Sequence, residues 1–299
     1  MNKGVVSVLV AYLIWGLYPF YFHAMQHVAP TEIVIHRVLW TFALLAVYLF
    51  CSRRWRWIQK AITDRRTVAV FLMSSVLITA NWSTYTYAIV TNQTLEASLG
   101  YFMNPLVSVL LGTVFLKEKL NKAQMLAIVF ACAGVMWVTF KQGEFPALGL
   151  TLALSFGFYG LVRKMAPLGS LEGLTLETAF AFPVALLATF YFAGNGDLTF
   201  VLGTSWDKFW LIMAGPITTI PLILFAYGLK QVPYSTVGFI QYLSPTMVFF
   251  IGLFFFGEEL QVDRLIGFIL IWTGVLIFVG ENFFRSHSGY RTEFNQLSK

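Results

Sequence analysis

Long apolar runs separated by short polar punctuation dominate the chain. Gly4–Phe22 and Val68–Thr94 contain no Asp, Glu, Lys or Arg. About 20 such residues, wound as a helix, cross the roughly 30 Å hydrocarbon layer of a bilayer. Reading apolar windows against the polar breaks predicts ten transmembrane helices, at 4–24, 32–51, 68–90, 95–116, 123–140, 147–163, 172–193, 208–229, 234–256 and 264–284. Connectors as short as Thr91-Asn92-Gln93 and Gln231-Val232-Pro233 leave no room for a crossover, so their flanking helices should run antiparallel. The pattern therefore predicts an all-α membrane protein.

Composition agrees with that class. Of 299 residues, 58% are hydrophobic and only 11% charged, where a soluble domain needs about a quarter charged to cover its surface. The net charge of +6 could point to nucleic acid, but its placement argues against that partner. Arg53, Arg54, Arg56, Lys60, Arg65 and Arg66 lie between two apolar segments and are interleaved with Trp55 and Trp57. A loop on the cytoplasmic side of a bilayer has this make-up, with its aromatics at the headgroup level. With the N-terminus inside, sixteen Lys and Arg fall on inner segments and three, Lys141, Lys208 and Arg264, on outer ones, while Arg37 lies within a span. The asymmetry places both termini in the cytoplasm and supports an even number of spans. Cys51 and Cys132 form neither a metal spacing nor a disulfide framework. The first segment has membrane length and no small-residue cleavage site at its end, so it reads as a retained helix.

The chain also repeats itself. An offset of 140 residues, without gaps, brings Tyr87 onto Tyr227, Pro105 onto Pro245, Gly112 onto Gly252, Phe115 onto Phe255, Glu118 onto Glu258, Leu120 onto Leu260, Gly134 onto Gly274 and Val135 onto Val275. At 141, Gly16-Leu17-Tyr18 meets Gly157-Phe158-Tyr159 more weakly. This predicts a first repeat over 1–141, a second over 147–284 and a cytoplasmic tail over 285–299. Each repeat holds five spans, an odd number, so the two copies must cross the membrane in opposite directions. Two inverted five-helix repeats offer two near-equivalent packings around one central site, an arrangement many secondary transporters use for alternating access.

Ionisable residues inside a bilayer are costly, about 2.5–3.5 kcal/mol at its centre, and are functional candidates by default. His36 and Arg37 lie about one turn inside the second span, Glu96 opens the fourth on the same side, and Glu177 lies about one turn inside the seventh. An Arg37–Glu96 ion pair is one reading, either as a clamp between helices or as part of a binding site. His36 could carry a proton or be a satisfied buried histidine. At offset 141 His36 aligns with Glu177, which would relate them as gate elements. A neutral, largely aromatic set lies near the midplane: Trp15, Tyr18, Asn81, Trp82, Tyr85, Tyr101, Asn104, Tyr159, Gln241, Tyr242 and Ser244. Tyr101 stands one turn from Asn104 and Gln241 one turn from Ser244. Pro105 and Pro245 should kink their helices and free carbonyls that can line a polar cavity. Some of this set would line a cavity for an amphipathic or aromatic solute, and the rest would be ordinary packing. Pro216 and Pro221 bracket Thr218-Thr219 as another kink, and Gly112, Gly134, Gly252 and Gly274 should admit close helix approach.

Several stretches carry a resemblance: Tyr12-Leu-Ile-Trp-Gly16, Glu32-Ile-Val-Ile-His-Arg37, Leu95-Glu-Ala-Ser-Leu-Gly-Tyr-Phe-Met-Asn-Pro-Leu106, Phe158-Tyr-Gly-Leu-Val-Arg-Lys164, Gly238-Phe-Ile-Gln-Tyr-Leu-Ser-Pro245 and Gly257-Glu258. The chain resembles the EamA-type members of the drug/metabolite transporter superfamily, and within it the bacterial RarD group. Thr79-Ala80 stands before Asn81-Trp82 where that likeness leads one to expect Gly-Gly. The resemblance implies two five-helix repeats in a bacterial inner membrane and the export or exchange of small metabolites, amino acids among them. The expected solute is a small molecule, the expected working unit a monomer, and no cofactor or metal is expected. An intramembrane enzyme and a receptor or scaffold are the alternatives. No His-Glu-x-x-His pair, Gly-x-Ser-x-Gly elbow or Walker A loop is present to favour the enzyme. Without a nucleotide site, transport would run on a gradient or as facilitated diffusion.

Overall fold

In hydrocarbon no water is available to hydrogen-bond the backbone, so each apolar run must satisfy its own amides and becomes a helix. The computed structural model describes residues 2–53, 55–90, 94–142, 147–257 and 262–297, with side chains at all of these except 86, 89, 90, 94–99, 142, 264 and 282–297. Every regular element among them is helical. In chain order they are α1 (Lys3–Gly16), α2 (Tyr18–Ala24), α3 (Pro30–Ser52), α4 (Arg56–Thr63), α5 (Arg65–Val90), α6 (Thr94–Phe115), α7 (Lys122–Gln142), α8 (Ala147–Met165), α9 (Ser170–Asn195), α10 (Thr199–Leu202), α11 (Ser205–Leu229), α12 (Tyr234–Gln241), α13 (Leu243–Phe255) and α14 (Val262–Leu297). Among the described residues, seven helical stretches are long and apolar enough to cross a membrane: Lys3–Ala24, Pro30–Ser52, Arg65–Tyr85, Lys122–Lys141, Ser170–Asn195, Ser205–Leu229 and Tyr234–Phe255. Gly100–Phe115 and Leu265–Glu281 are shorter apolar helices.

Three features depart from a reading of uniform helical rods. The first apolar run is split at Leu17 and the ninth at Tyr242. A proline weakens the turn at both places, because its ring clashes with the carbonyl four residues earlier and it has no amide to donate. Pro19 thus disturbs the turn at Trp15, and Pro245 the turn at Gln241. Pro105, Pro216 and Pro221 instead sit inside unbroken helices. The basic segment between α3 and α5 is not a plain loop. Arg53 closes α3 in the left-handed conformation (φ 52°), and α4 then forms a short strongly amphipathic helix. Asp64 starts α5, taking hydrogen bonds from the Thr67 hydroxyl (2.5 Å) and the amides of Thr67 and Arg66 (3.2 and 3.3 Å). These donors favour the carboxylate, the Thr67 hydroxyl foremost, and hold Asp64 below its ordinary pKa. Finally, α14 continues as one helix to Leu297, through most of the stretch expected to be a tail.

The helices pack mainly across the two halves of the chain. α3 lies against α9 and α11, α1 against α11 and α13, α5 against α8 and α9, and α6 against α8 and α12. α7 and α14 form an antiparallel pair, tied at one end by Lys141–Asp263 (3.4 Å) and at the other by Asn121–Glu281 (2.6 Å). A Cβ on Gly134 would come 2.6 Å from the Gly267 carbonyl oxygen, and one on Gly274 2.5 Å from that of Ala127. Glycine at these two positions is what lets the backbones approach.

Two acids, Glu118 half-buried and Glu32 buried, cap helices from a distance. The Glu118 carboxylate accepts the amides of Tyr234 (2.6 Å) and Ser235 (2.8 Å), which open α12. Glu32 does the same for Thr199 and Phe200 at α10 (2.9 and 2.7 Å). A free helix start presents unsatisfied donors and a positive dipole end, so an acid is the fitting partner. Glu118→Gln replaces one acceptor oxygen with a donor that faces another donor. It should cost about 1–2 kcal/mol, read as a lower thermal midpoint in detergent. An unchanged midpoint would mean that the cap contributes nothing.

Candidate functional site

Two polar clusters lie inside the helical bundle, one toward each end of the helices that carry them. The first is built around Arg37 on α3, which is only 8% exposed. Its Nε donates to the Thr218 hydroxyl on α11 (3.0 Å), and its guanidinium carbon lies 4.3 Å from the ring centre of Trp82 and 6.0 Å from that of Tyr18. Stacking on an aromatic face is favourable for a partly desolvated cation. Tyr18 is fixed in turn by its hydroxyl, which donates to the Ile217 carbonyl (2.8 Å). That carbonyl lies four residues before Pro221 and so lacks its helical partner. Phe22 and Tyr85 (5.6 Å) and Tyr85 and Tyr101 (5.9 Å) extend the aromatic wall. Among the described residues no carboxylate lies within ion-pair distance of Arg37. The side chain of its expected partner, Glu96, lies outside the described side chains.

The second cluster is built around Glu177 on α9. Its carboxylate lies 3.4 Å from Arg163 Nε and accepts hydrogen bonds from the Ser74 hydroxyl and, at 3.4 Å, from Tyr159. Ser75 donates to the Glu177 backbone carbonyl (2.8 Å). Arg163, 1% exposed, also donates to the Ser170 carbonyl (2.9 Å) and covers the Phe71 ring at 5.5 Å. Cation and carboxylate from α8 and α9 thus neutralise one another in a buried site, with hydroxyls from α5 and α8 donating to the acid. Nearby, Lys164 donates to the carbonyls of Leu229 (2.8 Å) and Val232 (2.5 Å). Lys230 donates to Ala166 (2.8 Å) and Leu168. Together these bonds lash α8 and the segment after it to the end of α11. A small cleft lined by Val38, Ser75, Thr79, Trp82, Glu177 and Thr178 lies between the two clusters.

The remaining candidates divide between packing and polar networks. Trp15 packs edge-on against Tyr12, Phe156 and Phe225 (5.0, 5.7 and 5.4 Å). Asn81 clamps α5 to α8 through the Leu152 carbonyl and the Ser155 hydroxyl, both at 3.0 Å. Gln241 accepts from Ser108 (2.8 Å), and Tyr234 donates to the Gly157 carbonyl (2.6 Å). Asn104 Oδ1 and the Tyr242 hydroxyl are enclosed without partners. The break at Tyr242 puts Gln241 and Ser244 on different helices. His36 faces away from the Arg37 cage. Its Nδ1 accepts from Trp40 (3.0 Å), its Nε2 is 3.8 Å from Glu32, and its ring lies 4.7 Å from that of Phe200. His36 and Glu177, aligned by the repeat, therefore occupy unlike surroundings.

Comparison with known proteins gives these clusters a setting. The EamA-like transporter family matches residues 2–140 and again 146–280. The chain belongs to that family. This EamA-like chain is 37% identical to protein RarD of Escherichia coli, over 93% of its own length and 94% of the relative's. It is 39% identical to the uncharacterized transporter YojE of Bacillus subtilis over 93% of both chains. It is 37% identical to an uncharacterized transporter of Vibrio cholerae over 97% and 96%. A crystal structure of a protein only 14% identical shares the fold, with a TM-score of 0.66 over 92% of this chain and 96% of that one. The protein is thus a multi-pass membrane transporter of a family with bacterial members.

Arg163, Ser74 and Thr218 have central places that the sequence did not reveal. Arg163 lies near the end of an apolar segment, where a cation normally reaches the headgroups. One signal was available: Arg163 stands four residues after Tyr159 and hence on the same helical face.

Proposed function

We propose that this chain is a secondary transporter of a bacterial inner membrane that exports a small metabolite, amino acid or amphipathic solute by alternating access between two inverted five-helix repeats. The packing carries the reading. Exchange α1 with α8, α3 with α9, α5 with α11, α6 with α12–α13 and α7 with α14, and the principal helix contacts exchange with one another. α1 on α11 becomes α8 on α5, α3 on α11 becomes α9 on α5, and α6 on α8 becomes α12–α13 on α1. α3 on α9, α6 on α12 and α7 on α14 map onto themselves. A backbone detail supports the duplication: Lys117 (φ 55°) and Gly257 (φ 66°) stand 140 residues apart, each just before a glutamate, in the same left-handed conformation. The ten spanning segments are then α1–α2, α3, α5, α6, α7, α8, α9, α11, α12–α13 and α14. Both termini face the cytoplasm, and the two repeats are 1–141 and 147–284. The Glu177–Arg163 cluster and the Lys164 and Lys230 bonds close the cytoplasmic side, while the Arg37 cage faces the outer half.

Two measurements test this. Gly194 is exposed, and a Cβ there meets nothing within 4 Å. In a background lacking Cys51 and Cys132, Gly194→Cys should be labelled by an impermeant thiol reagent from outside, and Lys60→Cys should not. Proteoliposomes loaded with an unlabelled solute from a panel of amino acids and amphipathic compounds should show transient accumulation of the labelled form. Labelling of Lys60→Cys from outside would overturn the topology. Absence of counterflow across the panel would overturn the transport cycle.

A further inference from the structure

We infer that the solute is a small organic anion with a flat apolar body, and that Arg37 is the residue that holds its charge. The inference deepens the transport reading above and rests on it. The two clusters carry unequal charge. Arg163 is paired with Glu177, so the inner cluster is neutral overall. Arg37 has no carboxylate among the described side chains, and its one hydrogen bond there, from Nε to Thr218, leaves both Nη nitrogens without an acceptor. Those nitrogens are not among the sealed, unpartnered polar atoms of the described residues, which include Arg163 Nη1. A guanidinium is permanently charged, and holding one in a largely desolvated position is expensive unless an anion or another acceptor meets it. Its end-on Nη fork matches the two oxygens of a carboxylate or the edge of a phosphate.

The surroundings fix the rest of the ligand class. Trp82 occupies one face of the guanidinium, which leaves its edge donors for a ligand lying beside the ring. Tyr85 and Tyr101 stand ring to ring next to this position, and their hydroxyls make no hydrogen bond among the described residues. They offer two neutral donors to an anion and two flat faces to an aromatic or planar body. A bare inorganic anion would leave those faces unused, and a cation would face Arg37 directly.

A series matched in ring and varied in charge tests this: phenylacetate, phenethylamine and 2-phenylethanol. Binding to the purified full-length chain is read by quenching of tryptophan fluorescence, and uptake by labelled compound in proteoliposomes against empty-liposome blanks. Phenylacetate should bind at least about tenfold more tightly than the other two, and Arg37→Gln should remove that preference, a loss of about tenfold or more. Arg37→Lys, a charge without the fork, should retain part of it. Phenethylamine or phenylethanol binding as well as phenylacetate would overturn the inference, as would failure of all three to bind. Equal competition by inorganic phosphate would overturn its aromatic half. Should Arg37→Gln not fold, the charge series on the wild-type chain still decides. Counterflow of amines or neutral solutes alone would leave the transport cycle standing while sinking the anion assignment.

Discussion

Glu177→Ala should lower the stability of the folded chain by about 3–5 kcal/mol, among the largest single effects expected here. Arg163 and Glu177 are both almost wholly buried, and removing the acid strands a cation that already has Nη1 enclosed without a partner. The Ser74 and Tyr159 hydroxyls would lose their acceptor as well. Arg163→Ala should be similarly harmful, because it leaves a carboxylate in the same buried site. The double change Arg163→Met with Glu177→Met removes both charges while keeping much of the volume. It should recover most of the loss, since a buried ion pair often does no better than an apolar pair of its size. Thermal midpoints of the wild type, both single variants and the double variant in one detergent form a cycle that reads the coupling. Additive losses would mean that the two side chains do not act as a pair.

Gly274→Leu should separate α14 from α7. An added Cβ at Gly274 already meets the Ala127 carbonyl oxygen at 2.5 Å and the Ala131 amide nitrogen at 3.4 Å, and backbone atoms cannot rotate aside. The helices must part, losing the contact of Ile271 and Phe268 with Ala131 and Val135. Overpacking of this kind costs about 1–3 kcal/mol, and a large side chain falls at the upper end. Gly280→Leu, on the same helix at a position where a Cβ meets nothing within 4 Å, is the matched control and should be neutral. Comparable losses at both positions would show that close approach at Gly274 does not decide the outcome, since Gly→Leu by itself raises helix propensity. In the transport assay, Gly274→Leu should also lower the counterflow signal if α7 and α14 hold the two repeats together.

Much of the secondary structure was legible in the sequence. The windows at 32–51, 172–193 and 208–229 correspond to α3 (Pro30–Ser52), α9 (Ser170–Asn195) and α11 (Ser205–Leu229). The hydrocarbon thickness sets the run length, and the polar ends announce themselves. The glycines at 134 and 274 were likewise legible as points of close approach, because the repeat brought them into register. The helix breaks were readable only in part. Pro105 and Pro245 align at offset 140, yet α6 runs through its proline while the ninth apolar run breaks at Tyr242. A proline weakens a turn, but the neighbouring helices settle whether that turn opens.

The sites were less legible than the helices. Sequence patterning put Arg37, Trp82, Tyr18 and Tyr85 on a list of costly or aromatic residues at membrane depth, and four of that list do meet in one cage. It could not sort them from Trp15 and Asn81, which fasten helices together. Nor could it part His36 from Arg37, adjacent in the chain but turned to different neighbours. Hydropathy and charge bias act over whole segments, so the sequence alone determined that this chain is a helical membrane protein and where most of its helices run. Which acid, hydroxyl or ring each buried cation meets depends on contacts across α3, α5, α8, α9 and α11, between residues up to 181 positions apart in sequence. A pairing of that range has no periodicity to betray it, and only the tertiary structure decided it.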